Sequence, residues 1–195
     1  MEVLPISRWK RWLDLVLGLT GLALTLPLQI LVGASVLVSS GRPIFFVQRR
    51  IGENEKPFLV WKFRTMVPLS ESLSPVTGQS DPRLTPIGHV LRQFKLDELP
   101  QLVNVVLGQM SLVGPRPVEP ERVRLFSSEH KLYHLRFLAR PGLTGLAQVR
   151  GACHEVGRFE EALYSDIEYI KRQSLWLDLE ILFRTVRTVF QPHEG

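Results

Sequence analysis

From Leu15 to Gly41 the chain carries no formally charged side chain, an unbroken run of 27 residues. A helix needs about 20 apolar residues to cross the hydrocarbon of a bilayer, so a fold must either place this run in lipid or bury nearly all of it. It is too long for the apolar core of a signal peptide and shows no small-residue cleavage pattern. Arg8, Lys10 and Arg11 precede it, and Arg42, Arg49 and Arg50 follow it. Basic flanks belong on the cytoplasmic side, so two basic flanks argue that both ends lie on one side. Pro27, near the middle, removes a backbone hydrogen bond and kinks or breaks a helix. Gly18, Thr20, Gly21 and Thr25 loosen the half before it. These features favour a re-entrant helix-break-helix hairpin over a single spanning helix, with a Thr hydroxyl to meet the carbonyl freed near residue 23. Asp14, at the edge, is expected to pair with Lys10 or Arg11, and Trp9 and Trp12 to sit in the interfacial belt.

The net charge of +5 accompanies 45% hydrophobic residues in 195. A basic chain this apolar points to an anionic membrane surface rather than to nucleic acid, for which it has no zinc-finger spacing, aromatic RNA-binding pattern or uninterrupted basic helix. The single cysteine, Cys153, excludes an intrachain disulfide and suits a reducing, cytoplasmic setting. With only His154 beside it, Cys153 reads as a bystander rather than a nucleophile.

Beyond the apolar run, Ile44 to Val47 and Phe58 to Thr65 read as two short strands joined by a turn at Gly52-Glu53-Asn54. Strand alternation turns Lys62 and Arg64 to one side together, either as a solvated face or as an anion site. Residues 68–82 are rich in Ser, Pro and Gly and read as a mobile loop. A helix follows through Ile87, Val90, Leu91 and Phe94, then a second from Leu99 to Leu107, with Leu99, Leu102, Val103 and Val106 as its core stripe. Met110 to Val113 reads as a short extended piece ending at Gly114-Pro115-Arg116-Pro117, whose prolines present Arg116 in a stiff frame. The glycines of Arg140-Pro141-Gly142-Leu143-Thr144-Gly145 permit close backbone approach to a ligand. Arg158 to Phe190 is helical with a break near Ser174. In its second half Leu175, Leu179, Leu182 and Val186 form a stripe, while Trp176, Phe183, Arg184 and Arg187 suit either lipid headgroups or plain core packing.

The chain is organised around Leu96-Asp97-Glu98-Leu99-Pro100-Gln101-Leu102. Helical neighbours diverge by about 100°, so two adjacent carboxylates point apart and cannot share one task. Lys62, Arg64, Arg83, Arg92, Arg116 and Arg140 recur around them, and guanidinium groups match phosphate oxygens in pairs. By spacing alone, Asp97 as a cap on a helix from Glu98 to Leu107 stands ahead of any chemical role.

In their order, these motifs resemble the bacterial sugar transferase family, the monotopic phosphoglycosyl transferases of envelope glycan assembly. The likeness runs from Lys10-Arg11 and Asp14 through Pro43-Ile44-Phe45-Phe46, Gln48-Arg49 and Lys62-Phe63-Arg64-Thr65-Met66. It continues through Asp81-Pro82-Arg83-Leu84-Thr85, the Asp97-Glu98 motif and Met110-Ser111-Leu112-Val113-Gly114-Pro115-Arg116-Pro117. It ends at Arg140-Pro141-Gly142-Leu143-Thr144-Gly145-Leu146-Ala147-Gln148-Val149. The family's usual Ser-Pro break reads Leu26-Pro27 here.

The resemblance implies an α/β fold, mostly helical, with a small β-hairpin and amphipathic surface helices. Residues 1–42 would form the re-entrant membrane hairpin and 43–195 a catalytic domain on the cytoplasmic face of the bacterial inner membrane. It implies transfer of a phosphosugar from a UDP-sugar to a polyprenol phosphate, with undecaprenyl phosphate the expected acceptor, giving polyprenol-diphosphosugar and UMP. That is the first membrane step of exopolysaccharide or lipopolysaccharide assembly. Asp97 would be the nucleophile of a covalent phosphosugar-enzyme and Glu98 its partner, both at a Mg²⁺ site, with Lys62, Arg64, Arg83, Arg116 and Arg140 as substrate ligands. Larger relatives carry an extra membrane bundle, so the chain is expected to be a minimal catalytic unit; homo-oligomerisation is left open. Sugar choice is expected in residues 68–82 and 151–158. The alternative is a non-catalytic membrane scaffold that binds nucleotide-sugars, which would need neither carboxylate.

Overall fold

The computed structural model describes residues 8–67, 83–152 and 158–190. The expected 68–82 loop, Cys153 and His154, and most of the 151–158 segment lie outside them. The protein is mostly helical, with one small antiparallel hairpin and a long apolar helix at its N-terminal end. That helix, α1 (Arg8–Ser40), is one element of 33 residues with Pro27 inside it, where the sequence alone suggested two helices and a break. The Thr25 hydroxyl donates to Gly21 O at 2.7 Å and receives Gln29 Nε2 at 3.0 Å, so it serves its own turn rather than the carbonyl of residue 23. The only two polar side chains near the proline thus satisfy one another, as an apolar surrounding requires.

Both ends of α1 are built into the body. At the first end Lys10, Asp14 and Gly18 are buried; at the second, Val32 and Val36 are. Between them Leu24, Leu26, Leu28, Ile30 and Leu31 are exposed, Leu24 by 77%. The helix stops at Gly41, whose φ of +71° suits a residue without Cβ. Arg64 covers the freed C-terminal carbonyls by donating from Nη2 to Ser40 O and Gly41 O.

The chain leaves α1 into β1 (Phe45–Ile51), which pairs antiparallel with β2 (Pro57–Phe63) in a register that opposes Phe46 to Lys62 and Val47 to Trp61. The turn signal holds: Asn54 and Glu55 adopt φ of 55° and 58° in a 3₁₀ turn over Glu53–Glu55. α2 (Pro86–Gln93) starts as its sequence dictates, with Thr85 accepting from Gly88 N at 3.0 Å and Pro86 in the first turn. α3 (Gln101–Val106) buries Leu102 and Val105 and leaves Val103 exposed, so the expected stripe is displaced by the turn that precedes it. β3 (Ser111–Val113) pairs in parallel with β4 (Gly142–Thr144). α4 (Pro120–Glu129) lies between them in sequence, and α5 (Leu146–Val149), α6 (Phe159–Arg172) and α7 (Leu175–Phe190) complete the body.

The central core joins Val60 of β2, Leu102 and Val105 of α3, Met110, Val113, Tyr169 of α6 and Ile181 of α7. The break near Ser174 is present, but the face that α7 buries is Asp178 and Ile181. Leu175, Leu179 and Val186 face outward with Trp176 and Phe183, so most of the expected stripe is surface. Asp14 is likewise relocated: it accepts Ser111 Oγ at 3.0 Å and Leu112 N at 2.9 Å inside the body instead of pairing with Lys10 or Arg11. Lys10 bonds Asp178 at 2.6 Å, and Arg11 donates to the carbonyls of Val105 and Val106 at the end of α3.

Candidate active site

The corner between α2 and α3 places the two adjacent carboxylates. Lys95 takes the left-handed conformation at φ 56°, which a side chain seldom adopts, and so turns the chain sharply out of α2. A single 3₁₀ turn over Leu96–Glu98 follows, and Pro100, without an N–H, leads into α3. α3 has Pro100 at its cap position and no side-chain cap bond, which removes the helix-cap reading of Asp97.

The carboxylates have opposite surroundings. Glu98 Oε1 receives Lys62 Nζ from β2 and Arg116 Nη2 from the proline-framed strap after β3, each at 2.7 Å. Neither bond uses Oε2. Burial alone would raise the Glu98 carboxyl, but Arg116 and Lys62 overrule it and hold the group well below the ordinary carboxylate range. Lys62, itself buried, has its ammonium pushed down, with Glu98 opposing the shift and Arg116 adding to it. Asp97 is 7% exposed and, among the described residues, accepts no side-chain hydrogen bond. Burial raises its carboxyl; Lys62, Arg92 and Lys95 oppose the shift, while the charge on Glu98 reinforces it. One carboxylate is therefore fixed and ionised, and its neighbour is poorly solvated and uncommitted.

Of the sequence candidates, Lys62 and Arg116 converge on Glu98. Arg64 does not join them: β2 ends at Phe63, the Arg64 amide bonds Ile44 O at 2.9 Å, and the side chain serves the end of α1. Arg140 meets Glu53 at 3.3 Å beside the β1–β2 turn, at the other end of the hairpin from Lys62. Arg83 stands where the described chain resumes, its carbonyl accepting from Val67 N at 3.0 Å. The glycines of the 140–145 stretch approach backbone, not open space. A Cβ on Gly142 would lie 2.1 Å from Gly114 N, and the Gly142 amide is spent on Pro115 O at 2.8 Å.

Three further residues stand at this site, of which sequence reasoning had placed only Arg92, as one of the basic residues suited to phosphate. Arg92 donates to Thr65 Oγ1 at 3.0 Å and adds its field to Asp97. Arg50 reaches Glu119 at 3.1 Å and lies within the field of Arg116 and Glu98; burial pushes its guanidinium down to about 10. Gln101, one turn after Glu98, is buried with Nε2 unpartnered. Arg92 was visible as a basic residue near the carboxylates and Arg50 as a basic flank of the apolar run; Gln101 lay in the central motif but carried no signal of its own. Among the described residues there is no group of three or more His, Cys, Asp or Glu that could hold an ion unaided. A hard cation would take its protein oxygens from Asp97 and from Glu98 Oε2, the oxygen that neither ion pair uses, with its remaining ligands left to substrate and water.

The sequence is similar to known proteins along most of its length. The sequence model described as bacterial sugar transferase matches residues 6–192. The chain is 37% identical over 182 residues to the UDP-N-acetylgalactosamine-undecaprenyl-phosphate N-acetylgalactosaminephosphotransferase of Aeromonas hydrophila, covering 92% of this chain and 43% of that protein. It is 42% identical over 181 residues to the UDP-glucose:undecaprenyl-phosphate glucose-1-phosphate transferase of Caulobacter vibrioides, covering 91% and 68%. It is 38% identical over 196 residues to the exopolysaccharide production protein ExoY of Rhizobium meliloti, covering 92% and 84%. The chain thus spans about two fifths of the Aeromonas relative and most of the last two.

Proposed function

The chain belongs to the bacterial sugar transferase family, and on that premise we propose that it transfers a phosphosugar from a UDP-sugar to a polyprenol phosphate through Asp97. The observation that carries the reading is the inequality of the carboxylates: Glu98 is locked by two cations on one oxygen, and Asp97 is buried and, among the described residues, accepts no side-chain hydrogen bond. The Aeromonas and Caulobacter relatives are named for UDP-sugars and undecaprenyl phosphate, and their names differ in the sugar. They support the class of donor and acceptor and leave the sugar open.

An Asp97 oxygen attacks the phosphorus that carries the sugar. The bond from that phosphorus to the bridging oxygen breaks, and UMP departs with the electron pair. Lys62 and Arg116, already fixed by Glu98, bring positive charge toward the diphosphate. An oxygen of the lipid phosphate then attacks the same phosphorus, forming polyprenol-diphosphosugar and returning the Asp97 carboxylate. Mg²⁺, held by Asp97 and Glu98 with substrate oxygens, would neutralise diphosphate charge. Splitting the transfer lets a soluble donor and a lipid acceptor use one small site in turn.

α1 would hold this site at the bilayer with both ends on the cytoplasmic face. One body binds Lys10 and Asp14 at one end and Ser40 and Gly41 at the other. A body on one side could not do so if those ends were separated by the roughly 30 Å of a hydrocarbon layer. The bare segment around Leu24 to Leu31 is the part left for lipid, and the outward face of α7 suits the interface.

The test is UMP release by purified protein with undecaprenyl phosphate, Mg²⁺ and a panel of UDP-sugars, for wild type and Asp97→Asn. Lipid-dependent release that vanishes in the variant and on chelation supports the reaction; undiminished release by the variant refutes Asp97 as nucleophile. No release by folded wild type from any donor favours a nucleotide-sugar-binding scaffold. For topology, a cysteine at position 2 in a Cys153→Ser background should resist an impermeant thiol reagent outside the cell; labelling there would mean a spanning α1.

A further inference from the structure

The strap over residues 114–118 that carries Arg116 is held chiefly through its carbonyls. The Gly114 N–H reaches Thr144 O at 2.9 Å, but Pro115 and Pro117 have no N–H and add no donor beyond it. Its carbonyls are gripped from outside. Pro115 O accepts Gly142 N at 2.8 Å and Val118 O accepts Ile51 N at 2.8 Å. The two carbonyls between them depend on side chains: Arg116 O on Arg136 Nη2 at 3.0 Å, and Pro117 O on Arg50 Nη1 at 3.4 Å.

Arg136 is itself tightly defined. It is 3% exposed and bonds Asp166 of α6 at 2.7 Å through the same Nη2 that reaches the strap. Its Nη1 donates to the Tyr133 hydroxyl at 3.1 Å, and its guanidinium lies 5.2 Å from the Tyr133 ring centre and 6.0 Å from that of Phe137. Packed against two rings and bonded through both terminal nitrogens, this plane has little freedom to rotate. A buried Arg–Asp pair could balance its charge anywhere in the body; this one spends a donor on the main-chain carbonyl of a site residue.

We infer that Arg136, with Asp166 as its counter-charge, is a positioning residue that sets the strap so that the Arg116 guanidinium meets Glu98 and the diphosphate. The inference rests on the proposed transferase reading. Arg136 touches neither carboxylate nor substrate in this account and acts through Arg116 alone. Loss of a charge-assisted hydrogen bond of this kind is expected to lower kcat/KM by about 10- to 100-fold.

The experiment is a double-substitution cycle on the full chain in anionic-lipid nanodiscs, reading UMP release with a saturating polyprenol phosphate and a varied UDP-sugar. Arg136→Met is compared with Arg116→Ala and with the pair. If Arg136 works through Arg116, Arg136→Met changes kcat/KM by less than about twofold once Arg116 is Ala. Losses that multiply in the pair mean that Arg136 only supports the fold, and the inference falls. Should Arg136→Met fail to fold, Arg136→Lys enters the same cycle: it keeps the charge for Asp166 but lacks the planar fork that holds the strap at the same time. Absence of UMP release by folded wild type removes the transferase reading and this inference with it.

Discussion

The body contains two buried charge clusters built from similar residues and put to opposite uses. At the root of α1, Lys10 Nζ spends its donors on Val113 O at 3.0 Å, the Tyr169 hydroxyl at 3.0 Å and Asp178 at 2.6 Å. Tyr169 also bonds Asp178 at 2.7 Å, and Asp14 Oδ1 takes two donors from β3; Asp14 Oδ2 alone is left over. Around Glu98, Lys62 and Arg116 are just as close, but among the described residues Asp97 beside them accepts no side-chain hydrogen bond. The dense bonding of the first cluster makes it a joint between α1 and α7. In the proposed reaction, the unengaged carboxylate of the second is the one that reacts.

That contrast is broken most severely at Asp97. Asp97→Asn keeps shape and removes the negative charge, so UMP release should fall by about 10⁴-fold or more. Thermal stability should hold or rise, because a buried carboxylate without donors disfavours the folded state. A large fall in Tm with residual activity would show that Asp97 is structural. In the saturated cluster the signs reverse. Lys10→Met strands Asp178 without its cation and should cost about 3–5 kcal/mol of stability. Urea unfolding in detergent would measure it, and a change below about 1 kcal/mol would mean that the joint bears little of the fold.

Between these extremes lies Glu98→Gln. The amide keeps the contacts of Lys62 and Arg116 in outline but not the charge that balances them, and kcat/KM should drop by about 10- to 100-fold. Activity near that of wild type would show that the cations order themselves without it.

The unequal legibility of the two clusters has a physical origin. The uncharged run, the Asn54 turn, the Thr85-Pro86 start and the break near Ser174 are local signals, and the structure keeps all four. Asp14 was misplaced because its partners on β3 lie 97 and 98 positions away, and no spacing reveals a bond of that range. Lys62 and Arg64 part because their partners lie far off in sequence, Glu98 for the one and the carbonyls that end α1 for the other. For α7, periodicity found a stripe but not its direction; Lys10 and Tyr169 draw Asp178 inward, and Trp176 is left 80% exposed. The carboxylate pair was legible as a motif, whereas its asymmetry arose only when β2 and the 114–118 strap both reached Glu98.

The finest distinction between the clusters is one of protonation. The proposed reaction requires Asp97 ionised, and its folded-state carboxyl titrates above the ordinary aspartate value because burial disfavours the charge. Activity should therefore disappear as pH falls through that raised value, with Glu98 still ionised across the same limb. Lys62 is the largest influence holding Asp97 down. Lys62→Met should thus move the acid limb of kcat to higher pH, in addition to any loss of rate at the plateau. The reverse shift, or an unmoved limb, would mean that the limb reports a group other than Asp97. For stability the sign is the same in kind: a carboxyl that binds its proton more tightly when folded favours the native state at acid pH. That contribution is lost as pH rises through the folded value, and Asp97→Asn should abolish it. Measured together, the kinetic limb and the stability slope test one ionisation by two routes. They agree only if the residue that reacts is also the one whose carboxyl burial raises.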